Sequence, residues 1–166
     1  EGMQAADELL LAEVRTQIIM YVSIYEALIH YILFEYYKDS QEVKDLIEKP
    51  TTIQISIPEE KKKALQKALN HDGKEIIPYY IKKKARDITK IRFDEKCMAA
   101  NNLNLIDNDL TSELIELYEM RNAVHIHAEI RKQLTYELEK SKLAYWRFKK
   151  FYLQVTEELK RTGKIK

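Results

Sequence analysis

The chain has 166 residues, a formal net charge of +1, 45% hydrophobic residues and 33% charged residues. That length suits one domain with a real core, and the near-neutral balance removes any argument from bulk charge for a polyanion partner. Three glycines and three prolines leave little turn punctuation, which favours long solvated helices over a sandwich of short strands. The lone cysteine, Cys97, excludes an intramolecular disulfide and points to a reducing cytoplasm. The longest apolar stretch, Ile18 to Leu33, is broken by Ser23, Glu26 and His30. Neither a bilayer-spanning segment nor a secretory leader is therefore expected.

The periodicity predicts a first helix from about Ala5 to Tyr37, because Leu11, Val14, Ile18, Tyr21, Val22, Tyr25, Ile29, Ile32 and Tyr36 recur every three or four residues. It would be about 50 Å long and must lie against other long helices. At residues 51–57 the period changes to two. Ile53, Ile55 and Ile57 alternate with polar residues between Pro50 and Pro58, which predicts a half-buried strand. Its predicted partner is the short run 88–92, since one strand cannot stand alone.

Between those strands, Pro58–Asn70 and Pro78–Arg86 read as helices, separated by a turn at Asp72-Gly73. A helix over Phe93–Leu103 carries Phe93, Cys97 and Ala100. Asp109 is placed to cap the next helix, whose inner stripe is Leu110, Leu114, Leu117, Tyr118, Arg121, Val124 and His125 and which should end near His127. The last helix is predicted from Thr135 to Arg161 with Leu138, Tyr145, Phe148, Tyr152, Val155 and Leu159 inward. The implied fold class is all-α: a bundle of four to five main helices over residues 1–166, with a small two-stranded ribbon and short helices inserted over 50–92.

Residues 121–127, Arg-Asn-Ala-Val-His-Ile-His, concentrate the reactive side chains. A guanidinium grips phosphate oxygens bidentately and stays charged, and an imidazole exchanges protons near neutral pH. On a straight helix Arg121 and His125 point within about 40° of one another. An arginine on an apolar stripe needs a counter-charge or a cleft, and Glu26, mid-helix in an apolar region, is the candidate intramolecular partner. The plain structural reading is a satisfied ion pair beside a histidine at a helix end. A metal reading also exists, since His125, His127 and Glu129 offer three ligands, but rings two apart diverge on a helix. No metal or cofactor is expected.

Two basic groups, Lys82, Lys83, Lys84, Arg86, Lys90, Arg92 and Lys96, and a C-terminal set including Lys142, Arg147, Lys149 and Lys150, read first as solvated faces and second as a nucleic-acid groove. His30 reads as a core or partly buried imidazole, Cys97 as a small core residue and His71 as solvated.

The segment Arg121-Asn122 followed by His125 and His127, on a late helix of a bundle with a long first helix and a long last one, resembles the signature of the HEPN domains (higher eukaryote and prokaryote nucleotide-binding). The resemblance runs over nearly the whole chain. Family spacing favours His127, with five residues after Arg121, while straight-helix geometry favours His125. The resemblance implies a metal-independent endoribonuclease in which the RNA 2′-hydroxyl attacks the adjacent phosphate. His127 or His125 would shuttle the proton, Arg121 would stabilise the transition-state charge, and Asn122 would orient substrate or histidine.

It also implies a homodimer across the Arg121/His127 face, and a toxin or phage-defence role with an antitoxin or regulatory partner. The alternative is a HEPN-like nucleotide-binding or scaffold module without cleavage. The tyrosine that some HEPN toxins carry two residues after the motif histidine is absent; His127 and Glu129 stand there.

Overall fold

A computed structural model describes residues 2–69, 72–123 and 138–166. These fall into two compact units: the chain up to Leu46 together with the chain from Lys90, and the intervening Ile47–Thr89.

The first unit is helical. Helix α1 spans Gly2–Tyr31 and continues as a π-turn over Ile32–Tyr36, short of the single helix expected to Tyr37. The wider turn brings both Leu33 and Tyr37 into the core. Helix α2 is Gln41–Ile47, α4 Phe93–Asn102, α5 Asn108–Asn122 and α6 Leu138–Arg161. α1 packs against α4, α5 and α6, α4 against α5, and α5 against α6. Val14, Ile18, Val22, Tyr25 and Ile29 supply the buried side of α1, as the three-and-four spacing predicts. By length and composition alone, Glu8–Tyr36 is apolar enough to cross a membrane, despite the interruptions at Ser23, Glu26 and His30. A core helix meets that test equally, and this one is packed along one side.

Three expectations fail within this unit. The cap of α5 is Asp107, whose carboxylate accepts from Leu110 N at 2.7 Å, rather than Asp109, which lies inside the first turn. α5 ends at Asn122, where the Ala123 N–H turns to Glu119 and Met120 carbonyls at 3.1 Å, five residues before the predicted end. The third fails in part: on the inward face of α6, Val155 and Leu159 are buried as expected, but with Ser141, Ala144, Phe151 and Glu158. Leu138, Tyr145, Phe148 and Tyr152 are exposed. The small Ser141 and Ala144 let α6 approach α1 closely, close enough for Tyr25 Oη to donate to the Ala144 carbonyl at 2.7 Å. Burial raises the Tyr25 phenol above its ordinary value. The predicted start of α6 at Thr135 lies outside the described residues.

The second unit is an antiparallel ribbon with one helix. β1 is Glu48–Gln54, α3 is Glu59–Ala68 and β2 is Tyr79–Ala85. Thr52 pairs with Ile81 and Ile53 with Tyr80. The partner strand is therefore the segment expected as the helix Pro78–Arg86, while the expected strand at 88–92 starts as a 3₁₀ turn, Ile88–Lys90. Tyr79, Tyr80 and Ile81 are strong strand formers, and Lys82–Lys84 give no apolar helix face to bury. β1 is also shifted from its expected 51–57, so Ile55 and Ile57 lie beyond it and Pro50 lies inside, opposite Lys83. A proline fits there because each strand of a two-stranded ribbon has an open edge.

Candidate functional site

Glu26 on α1 sits where three helices meet. Its position on the α1 helix, one residue past the buried Tyr25, turns its carboxylate toward α4 and α5. Arg121, in the last turn of α5, donates from Nη1 to Glu26 Oε2 at 2.5 Å. Lys96 of α4 places Nζ 3.7 Å from Glu26 Oε1, an ion pair beyond hydrogen-bond distance. Lys96 is 3% exposed, whereas Arg121 and Glu26 are 23% and 29% exposed. The guanidinium also stacks 5.0 Å above the centre of the Tyr118 ring, itself edge-on to Phe93.

The arrangement sets two cations against one carboxylate. A buried ammonium is tolerated only with a counter-charge, so Lys96 requires Glu26, and Arg121 shares it. Arg121 stays partly open to solvent, where a guanidinium can meet an anion. His30, one helical turn after Glu26, feels the same groups. Burial and the Lys96 ammonium hold its pKa below the ordinary 6.5, against the opposing pull of Glu26. Its ring lies 4.7 Å from that of Phe34.

Of the residues singled out by sequence, the structure joins Arg121 to Glu26 and leaves Asn122 exposed at the helix end. His125 and His127, together with Val124 and Glu129 of the stripe and the metal reading, lie outside the described residues, as does His71. Among the described residues no three His, Cys, Asp or Glu side chains group as metal ligands. Cys97 is buried, and burial raises its thiol pKa well above the ordinary value. Sequence reasoning placed Lys96 with the solvated bases and gave His30 a core or partly buried position without linking it to Glu26. A signal was present for both. Lys96 falls between Phe93 and Ala100 on the buried side of α4, and His30 follows Glu26 by four residues, the spacing that shares a helix face.

Several of the basic residues are held in ion pairs. Lys142 pairs with Glu139, Arg147 with Glu113, Lys150 with Asp107 and Arg161 with Glu158. Arg92 pairs with Asp94 and Lys83 with Glu48. A cleft of about 720 Å³ lies over the α4–α5 connection and α6, lined by Asn101, Asn104, Asp107, Gln154 and Arg161 among others. Two pairs of its polar groups bond to one another, Gln154 with Asp107 and Arg161 with Glu158.

Comparison with protein-family models, curated proteins and solved structures returns no match.

Proposed function

We propose that this chain is a HEPN-type domain acting on RNA, a metal-independent endoribonuclease whose site is centred on Arg121. The observation that carries the reading is the position of Arg121: last turn of α5, half-exposed, oriented by Glu26 and backed by the buried Lys96. The order of elements supports it, with a long α1, the motif closing a late helix and a long α6 after it.

In this reading the 2′-hydroxyl attacks the neighbouring phosphorus, the 5′-oxygen leaves, and a cyclic phosphate remains on the upstream fragment. Arg121 supports the charge that builds on the phosphoryl oxygens. His127 or His125 moves the proton between the attacking and leaving oxygens. Asn122, exposed beside Arg121, orients the substrate. Glu26 and Lys96 position the guanidinium without touching the reacting atoms.

A second reading, a nucleotide-binding or scaffold module, is favoured by the closeness of Glu26 to Arg121, which already satisfies one guanidinium nitrogen. The resemblance also implies a second copy across the Arg121/His127 face, and the Glu26 pair satisfies the guanidinium within one chain without bearing on that copy. The test is incubation with total RNA and a strong chelator, beside Arg121→Ala and His127→Ala. Cleavage that persists in chelator and falls about 10²-fold or more in both variants supports the enzyme. RNA binding without cleavage at any protein concentration supports the module.

A further inference from the structure

Three aromatics that sequence periodicity assigned to the core side of α6, Tyr145, Phe148 and Tyr152, instead join Trp146 in an exposed aromatic surface. Trp146 is 66%, Tyr152 58% and Tyr145 54% exposed, with Leu153 also open. Tyr145, Trp146, Phe148, Lys149 and Tyr152 line a groove of about 310 Å³. The surface does not stop at α6. Tyr145 packs edge-on against Tyr21 of α1 at 5.9 Å between ring centres. Ile24 lies about 60° round the helix from Tyr21, and Met20, Ile24 and Tyr31, all exposed, continue along that flank.

We infer that this α1/α6 face is where a second copy of the chain docks. Together the exposed side chains hold on the order of 800 Å² of apolar surface, since each large aromatic carries about 150–250 Å² when fully open. The largest apolar patch on an ordinary monomer is roughly 300–600 Å², whereas one side of a standard protein interface is about 800 Å². Patch area thus matches one side of a dimer. Tryptophan and tyrosine are also the residues that dominate interface energetics. A net charge of +1 puts almost no long-range repulsion between two copies.

This face is separate from the Arg121 site. Glu26, two residues after Ile24, points about 160° away from it around α1, so a dimer formed here leaves both Arg121 sites open on its outer sides. The inference is therefore independent of the ribonuclease reading and would stand if that reading failed.

Trp146 is the only tryptophan in the sequence, so its fluorescence reports on this face alone. In light scattering after gel filtration the wild-type chain is expected at twice its 19.7 kDa. On dilution, Trp146 emission should shift to the red and its quenching by acrylamide should rise as the dimer separates. Tyr152→Lys should weaken association at least about tenfold while keeping the reporter, and Trp146→Lys should do the same by mass. Unchanged circular dichroism and melting would show that the fold survives. Should both variants misfold, the concentration dependence of wild-type Trp146 emission still decides.

Three results would overturn the proposal. One is a 19.7 kDa particle with concentration-independent emission. Another is a dimer that survives Tyr152→Lys and is lost with Arg121→Glu. The third is a monomer whose emission shifts only with vesicles of phosphatidylserine and phosphatidylcholine, which would make the face a membrane surface.

Discussion

The helical unit and the ribbon unit are built on different principles. In the first, Ile18, Val22, Tyr25, Phe93, Cys97, Leu110 and Leu114 are fully enclosed, and the one buried ammonium among the described residues has its carboxylate. In the second, α3 has no buried residue, β2 is exposed throughout, and Ile53 alone in β1 is half-buried. Such a ribbon rests on backbone pairing and cross-strand contacts, each worth about 0.2–1 kcal/mol. Chemistry that needs a fixed geometry therefore belongs to the helical unit, and the Glu26 cluster is found there.

Core truncations should separate the units most sharply. Phe93→Ala is expected to cost about 3–5 kcal/mol, through lost transfer energy and a cavity. Ile81→Ala, on the open face of β2, should stay within about 0.5 kcal/mol. Urea melts of the two variants measure the gap, and similar losses would erase the distinction.

Next in size is Glu26→Ala, which leaves Lys96 buried without counter-charge. A loss of about 3 kcal/mol is expected, the lower end for breaking a buried pair because Glu26 is partly exposed. Adding Lys96→Met should recover much of it, since the stranded charge is then gone. A double-mutant cycle with no coupling would mean that the pair does not hold the helices together.

Asp107→Ala should cost about 1 kcal/mol as a lost helix cap. Hydrogen bonds from Lys150, the Leu110 N–H and Gln154 hold the Asp107 carboxyl below its ordinary 3.8. Its contribution is therefore full above that value and lost as pH falls through the lower folded-state pKa. Acid unfolding followed in wild type and Asp107→Asn should show a shallower acid limb in the variant.

The smallest effect is at His30, whose folded pKa is depressed by burial and Lys96. Below 6.5 the unfolded chain binds the proton first, so His30 favours folding above that pH and less as pH falls. His30→Gln should flatten stability just below pH 6.5, and an imidazole titration by NMR at or above 6.5 would reverse the sign.

How legible each unit was follows from the same contrast. The long helices carry a burial period, so α1, α4 and the body of α5 read directly from Val14, Ile18, Val22 and from Leu110, Leu114, Leu117. The ribbon has almost no burial to write a period. Ile53, Ile55 and Ile57 suggested a strand, but strand propensity at Tyr79, Tyr80 and Ile81 chose its partner, and the lysines after them masked it. α6 was misread for a different reason: it has two apolar faces, and the larger aromatic one is outside. At the site, Arg121 and Glu26 stood out as charges on apolar stripes. Lys96 did not, because a lysine in a basic run reads as solvated until the helix around it is known to be enclosed.

The most direct test of the Arg121 site compares an RNA oligonucleotide with the DNA of the same sequence in strong chelator, using wild type and Arg121→Lys. Attack by a 2′-hydroxyl predicts cleavage of RNA only, a cyclic phosphate end, and a large loss in Arg121→Lys, which keeps the charge but not the bidentate fork. Intact RNA with the wild-type chain, or equal cleavage by Arg121→Lys, would contradict it.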